Sequence, residues 1–523
     1  MKRTIAAVLA LSVLSGFSAV KAQESGIKFY VSGSAQEGGD GSITSPFKTL
    51  EEAREAVRKL NKSGEYPEGG IKVIVRGGDF FMTKALELTE EDSGKEGAPV
   101  EWSVYPGEEV KLIGGAEVSL GECDVVSDSS ILDRMDSKVS GKIYQINLKE
   151  KGIADYGDLY VTGHASYYTK IFGLSSGDTH YGALPTPEIF WNGSEEQGVS
   201  MNLAQYPNKG EFMQIGKVVS TGDDMTKWYN STDPNKPSAP DPGVFTVDDD
   251  RIKRWSKADQ AWLFGYWKWD WSDQTMPVDK IDVDAKTIKP GLQSYYTITQ
   301  GQRFYIYNLL EELDSPGEWF YDKNSGMLYV YPLDTQKDSK MLLAFSGENV
   351  IKIKGAKYVN IRDFEITGTR NTGISASGEN VKLSYLSINR LSGAGIGLSG
   401  KNMTVEGCHI YSTGQKGIDV SGGDSKTLEP SNNLIFNNHI HDNGRLVTTY
   451  EGAIRVGGVG TIIKNNLMYN GTHVGLTMGG LDNIAEYNDI HDFLKTSSDM
   501  GAIYMNNGYP NRGNVIRYNS IQD

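Results

Sequence analysis

The stretch TSSDMGAIYMNN, Thr496 to Asn507, sets a carboxylate, Asp499, just before an apolar, alternating run. The arrangement recurs upstream: TTYEGAIRVGG carries Glu451, and GTHVGLTMGG carries His473. Aligning the strands by their alternation puts Asp419, Arg455, Thr477 and Tyr504 in one outward column. Ile418, Val420, Ile454, Val456, Leu476, Met478, Ile503 and Met505 then point inward. Tyr450, Thr472 and Asp499 line a corner before the strand, with Glu451 and His473 beside it. Carboxyl groups along a sugar-sized groove suit glycosidic cleavage. One protonates the leaving oxygen, and the other serves as nucleophile or as base for water. By spacing alone, Asp499 is one of several candidates, with Asp419, Asp424, Glu451 and Asp482. Asp442 and Asp492, each in a His-Asp pair at a strand end, read as corner residues.

These side chains need a scaffold, and the second half of the chain supplies one by repetition. NMTVEGCHIYS, NLIFNNHIHDN, TIIKNNLMYNG, NIAEYNDIHDF and NVIRYNSIQD share one pattern, starting at Asn402, Asn433, Thr461, Asn483 and Asn514. A second short strand follows in each unit, as in KGIDVSGG and GAIRVGG. A single unit cannot bury its apolar face, whereas stacked units can. Two short strands per unit, with Gly and Asn at the corners, give an all-β fold, a right-handed parallel β-helix whose rungs lie about 4.8 Å apart. Asn438, Asn466, Asn488 and Asn519 recur at one place in successive coils and read as a stacked amide ladder.

The first half divides differently. Residues 1–22 read as a secretory signal peptide: Lys2 and Arg3, a short apolar run, and small residues before a cleavage point after Ala22. The expected location is therefore the periplasm or the cell exterior. Residues 23–116 hold an amphipathic helix, with Thr49 as N-cap and Glu52 at the capping-box spacing, that would close the open end of the β-helix above its first coils. Residues 117–345 lose the repeat and read as an inserted β-rich, aromatic-rich module; residues 346–523 form the coils. In AWLFGYWKWDWSDQ the alternating Trp267, Trp269 and Trp271 would share one face of a strand. They would serve as a stacking platform for sugar rings, with Trp269 the substrate contact, or as packing of the module onto the helix.

The whole chain carries 52 cationic and 67 acidic residues. Three of those cations and none of the acids lie in the leader, so the mature protein carries a net charge of about −18. Such a surface repels nucleic acid and polyanions. No metal or cofactor is expected, because HExxH, CxxC, phosphate-binding and calcium-loop motifs are all absent from the sequence. No apolar run after the leader is long enough to span a bilayer. Cys123 and Cys408 are permitted a disulfide in this compartment but do not require one; Cys408, in the strand-like TVEGCHIY, reads as a buried small hydrophobe.

The block GLTMGGLDNIAEYNDIHDFLKTSSDMGAIYMNNGYPNRGNVIRYNSIQD resembles secreted bacterial β-helix glycosidases, most of all family 141 of the glycoside hydrolases. SPFKTLEEAREAVR, DSGKEGAPVEWSVYPGEEV, AQYPNKG, LDSPGEWFYDKNSGMLYVYP and SGGDSKTLEPSNNLIFNNHIHDNGR extend the likeness through most of the mature chain. The resemblance implies a hydrolase of plant cell-wall or other complex polysaccharides, of fucosidase or xylanase type. It places the family's DxGAxY acid on Asp499 and a recurrent histidine on His473, as a substrate contact or orienter. Arg455, Tyr504, Asp419 and Glu451 complete the expected substrate-binding set. Gln205, where relatives often carry Arg, and MNNGYP after GAIY depart from the pattern and bear on the choice of substrate. The partner carboxylate is expected in a coil after NVIRYNSIQD, so the chain reads as a fragment that is inactive alone and lacks its last coils. Two other functions compete. One is a polysaccharide lyase or epimerase, which would need cations to neutralise a uronate. The other is a glycan-binding β-helix without catalysis.

Overall fold

The computed structural model describes residues 26–153, 159, 184–194, 197–228, 233, 235, 240–505 and 511–523. The expected leader and its cleavage point lie outside the described residues. The chain is mainly β, and its coils form the stacked parallel solenoid that the repeat demands.

From Ile396 onward each coil contributes three strands rather than two, whereas upstream Ile351–Arg362 and Ile374–Ser384 run unbroken across the first two faces. One face holds the alternating runs Ile418–Ser421, Ile454–Val456, Leu476–Met478 and Ile503–Tyr504. A second holds Thr404–Glu406, Leu434–Phe436, Ile462–Lys464, Ile484–Glu486 and Val515–Arg517. A third holds His409–Thr413, His439–His441, Leu467–Tyr469, Asp489–His491 and Ser520–Gln522. Repeat segments such as NLIFNNHIHDN therefore contain a bend. Asn437, Asn465, Tyr487 and Tyr518 adopt positive φ there, between 55° and 57°, and turn the chain from the second face to the third. The ladder asparagines are the residues that follow these left-handed positions and do not occupy them.

The amide ladder is present. The Asn466 side chain accepts from the Asn438 backbone N–H at 3.0 Å and from the Asn438 amide at 2.9 Å. It donates to Asn488 Oδ1 at 2.9 Å and to the Ile435 carbonyl at 3.0 Å. Asn488 repeats the scheme toward Asn519. A parallel ladder at the next corner runs from Thr461 N–H to Asn483 and from Asn483 N–H to Asn514. Both satisfy backbone groups that the tight bends strip of sheet partners. Between the ladders, inward Ile, Val, Leu and Met columns form one core from Val31 to Ile490. Cys408 is buried in it, and both cysteines are free.

At the opposite end, the helix Leu50–Ser63 has its capping box in place and is ended by Gly64 at φ 78°. Its buried Leu50, Ala53 and Val57 join the solenoid core, so it covers the first coils. The chain leaves the third face after Val110–Ile113 and returns to the first at Ile351–Arg362. Between these points the described residues build three mainly antiparallel sheets around cores of their own, containing residues such as Trp191, Trp319, Trp255 and Phe304.

Replacing Asn466 with Leu removes both its donor and its acceptor and leaves the Asn438 N–H and Ile435 carbonyl unpaired in the core. The expected cost is about 1–3 kcal/mol, read as a lower midpoint in denaturant unfolding; a wild-type midpoint would refute the ladder.

Candidate active site

The first face is open along its length. Rung pairing sets Ser375, Gly397, Asp419, Arg455, Thr477 and Tyr504 in one outward column, in the register the alternation predicts. A groove of about 600 Å³ runs along it. Its floor changes character along the axis. Ser375 and Gly397 leave one end bare, Asp419 and Arg455 form an ion pair at 3.3 Å in the middle, and Tyr504 stands at the other end.

The corner beside the groove is more enclosed. The Glu451 carboxyl is nearly buried and lies 2.6 Å from Lys416 Nζ. Burial pushes its pKa up, and the opposing pull of Lys416 does not cancel that effect. Two rungs further, about 10 Å along the axis, Asp499 is exposed and holds φ 62°. Tyr450, at the matching place two coils earlier, has the same φ of 62°. Asp499 is thus a left-handed turn residue, and that backbone setting aims its carboxylate outward.

His473 links these corners. Its Nδ1 accepts from the Tyr450 N–H at 3.0 Å, and its Nε2 lies 3.0 Å from the Ser498 carbonyl. These partners require the neutral ring with hydrogen on Nε2. Burial also lowers its pKa, which agrees with that form. His473 has no exposed surface and ties the Tyr450 and Ser498 backbones together. Of the two expected places for His473, substrate contact or orienter, its buried position between stacked coils fits the second.

The inserted module completes the corner with groups that the repeat could not reveal. Asp273 is fully buried and accepts from Thr448 N–H at 2.9 Å, Thr448 Oγ1 at 2.8 Å and Thr449 Oγ1 at 2.5 Å. Its pKa is raised by burial, against the pull of those donors. Tyr266 reaches Thr448 Oγ1 at 3.0 Å. Arg303 lies over the Tyr266 ring at 4.0 Å and donates to the Thr496 carbonyl at 2.6 Å. Arg445 pairs with the module's Glu188. The turns carrying Tyr450 and Asp499 are therefore clamped from the module side as well as by His473.

The tryptophans divide. Trp267 is buried in the module's core, because the strand Trp262–Gly265 ends before it and the chain turns. Trp269 is 45% exposed and stacks on Trp271 at 6.5 Å with the rings 6° apart. The three do not share a strand face. Trp269 sits beside Asp270, which lies 3.6 Å from Arg303 and so next to the Asp499 turn. Asp442 and Asp492 are corner residues with φ 53° and 58°, each bound to the preceding histidine. Asp482 has φ 55°, and Asp424 opens a surface turn by accepting from Lys426 N–H.

Residues 343–435 match the family model of the right handed β-helix region. The chain is a right-handed parallel β-helix. Among solved structures, one named "Glycoside hydrolase" superposes with a TM-score of 0.61 at 14% identity, over 95% of this chain and 96% of that one. Identity this low makes the likeness one of fold. The complex of XylC with xylose gives a TM-score of 0.44 at 11% identity, over 95% and 70% of the two chains. A GH136 lacto-N-biosidase from Eubacterium ramulus gives 0.36 at 11%, over 95% and 56%. No curated protein matches the chain. Among the described residues, no helix is long and apolar enough to cross a membrane.

If Asp273 clamps the corner, Asp273→Ala leaves the Thr448 and Thr449 donors unpaired and costs about 1–3 kcal/mol. Amide exchange across residues 445–450 should speed up selectively. Exchange at the wild-type rate there would show that the module merely abuts the helix.

Proposed function

We propose that this protein is a secreted glycoside hydrolase acting on a complex polysaccharide, with Asp499 as a working carboxylate and Glu451 as the proton-bearing partner. The observation that carries the proposal is the open groove: a rung-aligned column of Asp419, Arg455, Thr477 and Tyr504 flanked by two carboxyl groups in unlike surroundings. Glu451, nearly buried, keeps its proton to higher pH than a free glutamate, as a general acid requires. Asp499, exposed and aimed by a fixed turn, is available to a sugar ring or its attacking water. The resemblance of SDMGAIY to the DxGAxY segment of family 141 supports the same role for Asp499. Arg455, Asp419, Tyr504 and Trp269 would contact the glycan, and His473 would hold the turns in place. The lyase or epimerase alternative needs cations free to neutralise a uronate. Here Arg455, the cation of the groove column, is paired with Asp419, which favours a neutral sugar.

The test is reducing-sugar release from a panel of plant glycans by the gene product, including any coding sequence beyond Asp523. Asp499→Asn should lower kcat/KM by about 10²–10⁴-fold while oligosaccharide binding persists. Unaltered turnover would return Asp499 to a purely structural turn, and an ultraviolet-absorbing unsaturated product would establish a lyase.

The pH profile tests Glu451 separately. Its folded pKa lies above the usual carboxylate value, so the proton needed for catalysis is present at low pH and lost as pH rises through that folded value. Wild-type activity should therefore fall on the alkaline side, and Glu451→Gln should abolish activity across the range. A Glu451→Gln enzyme that kept both the activity and the alkaline limb would assign the proton donor elsewhere.

A further inference from the structure

The third face carries a group of imidazoles that glycan chemistry in the groove does not use. His409 and His439 occupy the same register position in successive rungs, and His441 stands two residues along the second of them. Ile410 and Ile440 point into the core, so the three rings lie on the outer surface, half-buried. His409 and His439 are nearly parallel, with centroids 4.5 Å apart and planes 10° apart. His441 is held between Tyr411 and Tyr469, at 5.2 and 4.8 Å and 9° from each.

The ring nitrogens converge. His409 Nε2 and His441 Nε2 are 2.9 Å apart, and the candidate donor atoms of all three rings lie within 4.8 Å of one another. His441 Nδ1 lies 2.6 Å from Asp442 Oδ2, so its hydrogen goes to the carboxylate and its Nε2 lone pair faces His409. Asp442 is itself held by the Asn470 amide. A carboxylate that orients an imidazole in this way is the usual outer partner of a metal-bound histidine.

We propose that His409, His439 and His441 form a binding site for a borderline divalent transition metal of the Zn²⁺ class, with Asp442 as the positioning carboxylate. Two nitrogens on one ion at about 2.0–2.1 Å stand about 2.9–3.4 Å apart, for angles between a right angle and tetrahedral. The His409–His441 pair already meets this spacing, and His439, whose Nε2 lies 3.1 Å from the Tyr469 hydroxyl, would exchange that partner for the ion. In the absence of metal, His409 Nε2–H donates to His441. On binding, His409 takes its Nδ1–H tautomer and presents a free Nε2, so no net proton is lost. Three imidazoles without a carboxylate among the donors select against hard cations such as Ca²⁺ and Mg²⁺. The ion would join adjacent rungs across the outer surface, away from the groove. Sequence motifs did not expose the site because its histidines come from strands 30 residues apart, joined only by rung register.

The experiment is Zn²⁺ titration of the chelator-stripped, tag-free protein by calorimetry and thermal unfolding, with Ca²⁺ as the control cation. The site predicts uptake of one Zn²⁺ per chain and a Tm that rises with Zn²⁺ and not with Ca²⁺. A His409→Ala, His439→Ala double variant should lose both responses. Asp442→Asn, which suits the left-handed backbone there, should weaken Zn²⁺ binding by about 10–100-fold with its metal-free fold retained by circular dichroism. No Zn²⁺ uptake by the wild-type protein, or undiminished uptake by the double variant, would overturn the proposal. Should the double variant not fold, wild-type affinity in Asp442→Asn would overturn it instead.

Discussion

The coils from Asn402 onward turn sharply between their sheets while keeping backbone polar groups paired beside an apolar core, and at two of the three corners the asparagine ladders meet that constraint. A bend from one sheet to the next removes sheet partners from the residues at the corner. An amide that accepts from the coil before it and donates to the coil after it replaces those partners without water. Because each ladder runs from coil to coil, a fault at one rung is felt by its neighbours. The inward Ile, Val, Leu and Met columns supply most of the burial, but they do not by themselves decide where the chain bends.

Fixing the corners also fixes the turns beside the groove. Tyr450 and Asp499 hold equivalent left-handed positions two coils apart, and His473 ties one turn to the other through its two ring nitrogens. The inserted module grips the same turns from outside through Asp273, Tyr266 and Arg303. Exposed turns are ordinarily the most adaptable parts of a fold. Here two independent sets of hydrogen bonds restrain them, an arrangement suited to presenting a carboxylate in one direction. A strongly acidic chain nevertheless pairs Arg455, the cation of its groove column, with its own Asp419. The groove is thereby left polar without a large local field of either sign.

How much of this was legible in the sequence follows from the range of each interaction. The rung alignment of Asp419, Arg455, Thr477 and Tyr504 could be read directly, because strand alternation has a period of two and the coils repeat. The capping box at Thr49 and the stacking of Asn438, Asn466, Asn488 and Asn519 were legible for the same reason. The third face was not, since a single left-handed residue in the middle of each repeat splits one apparent strand into two.

What the sequence determined by itself was therefore the repeat, its outward column, its inward column apart from the exposed Met505, and the residues that stack at its corners, because neighbouring residues and a fixed period settle these. Only the tertiary structure decided that His473 is buried and Asp499 exposed, that Trp267 belongs to a core while Trp269 meets solvent, and that Asp273 reaches across 175 residues to hold Thr448. The same holds for Lys416 beside Glu451 and for the three histidines of the outer face. Contacts between distant segments carry no local period, so they take shape only when the coils stack and the module closes against them.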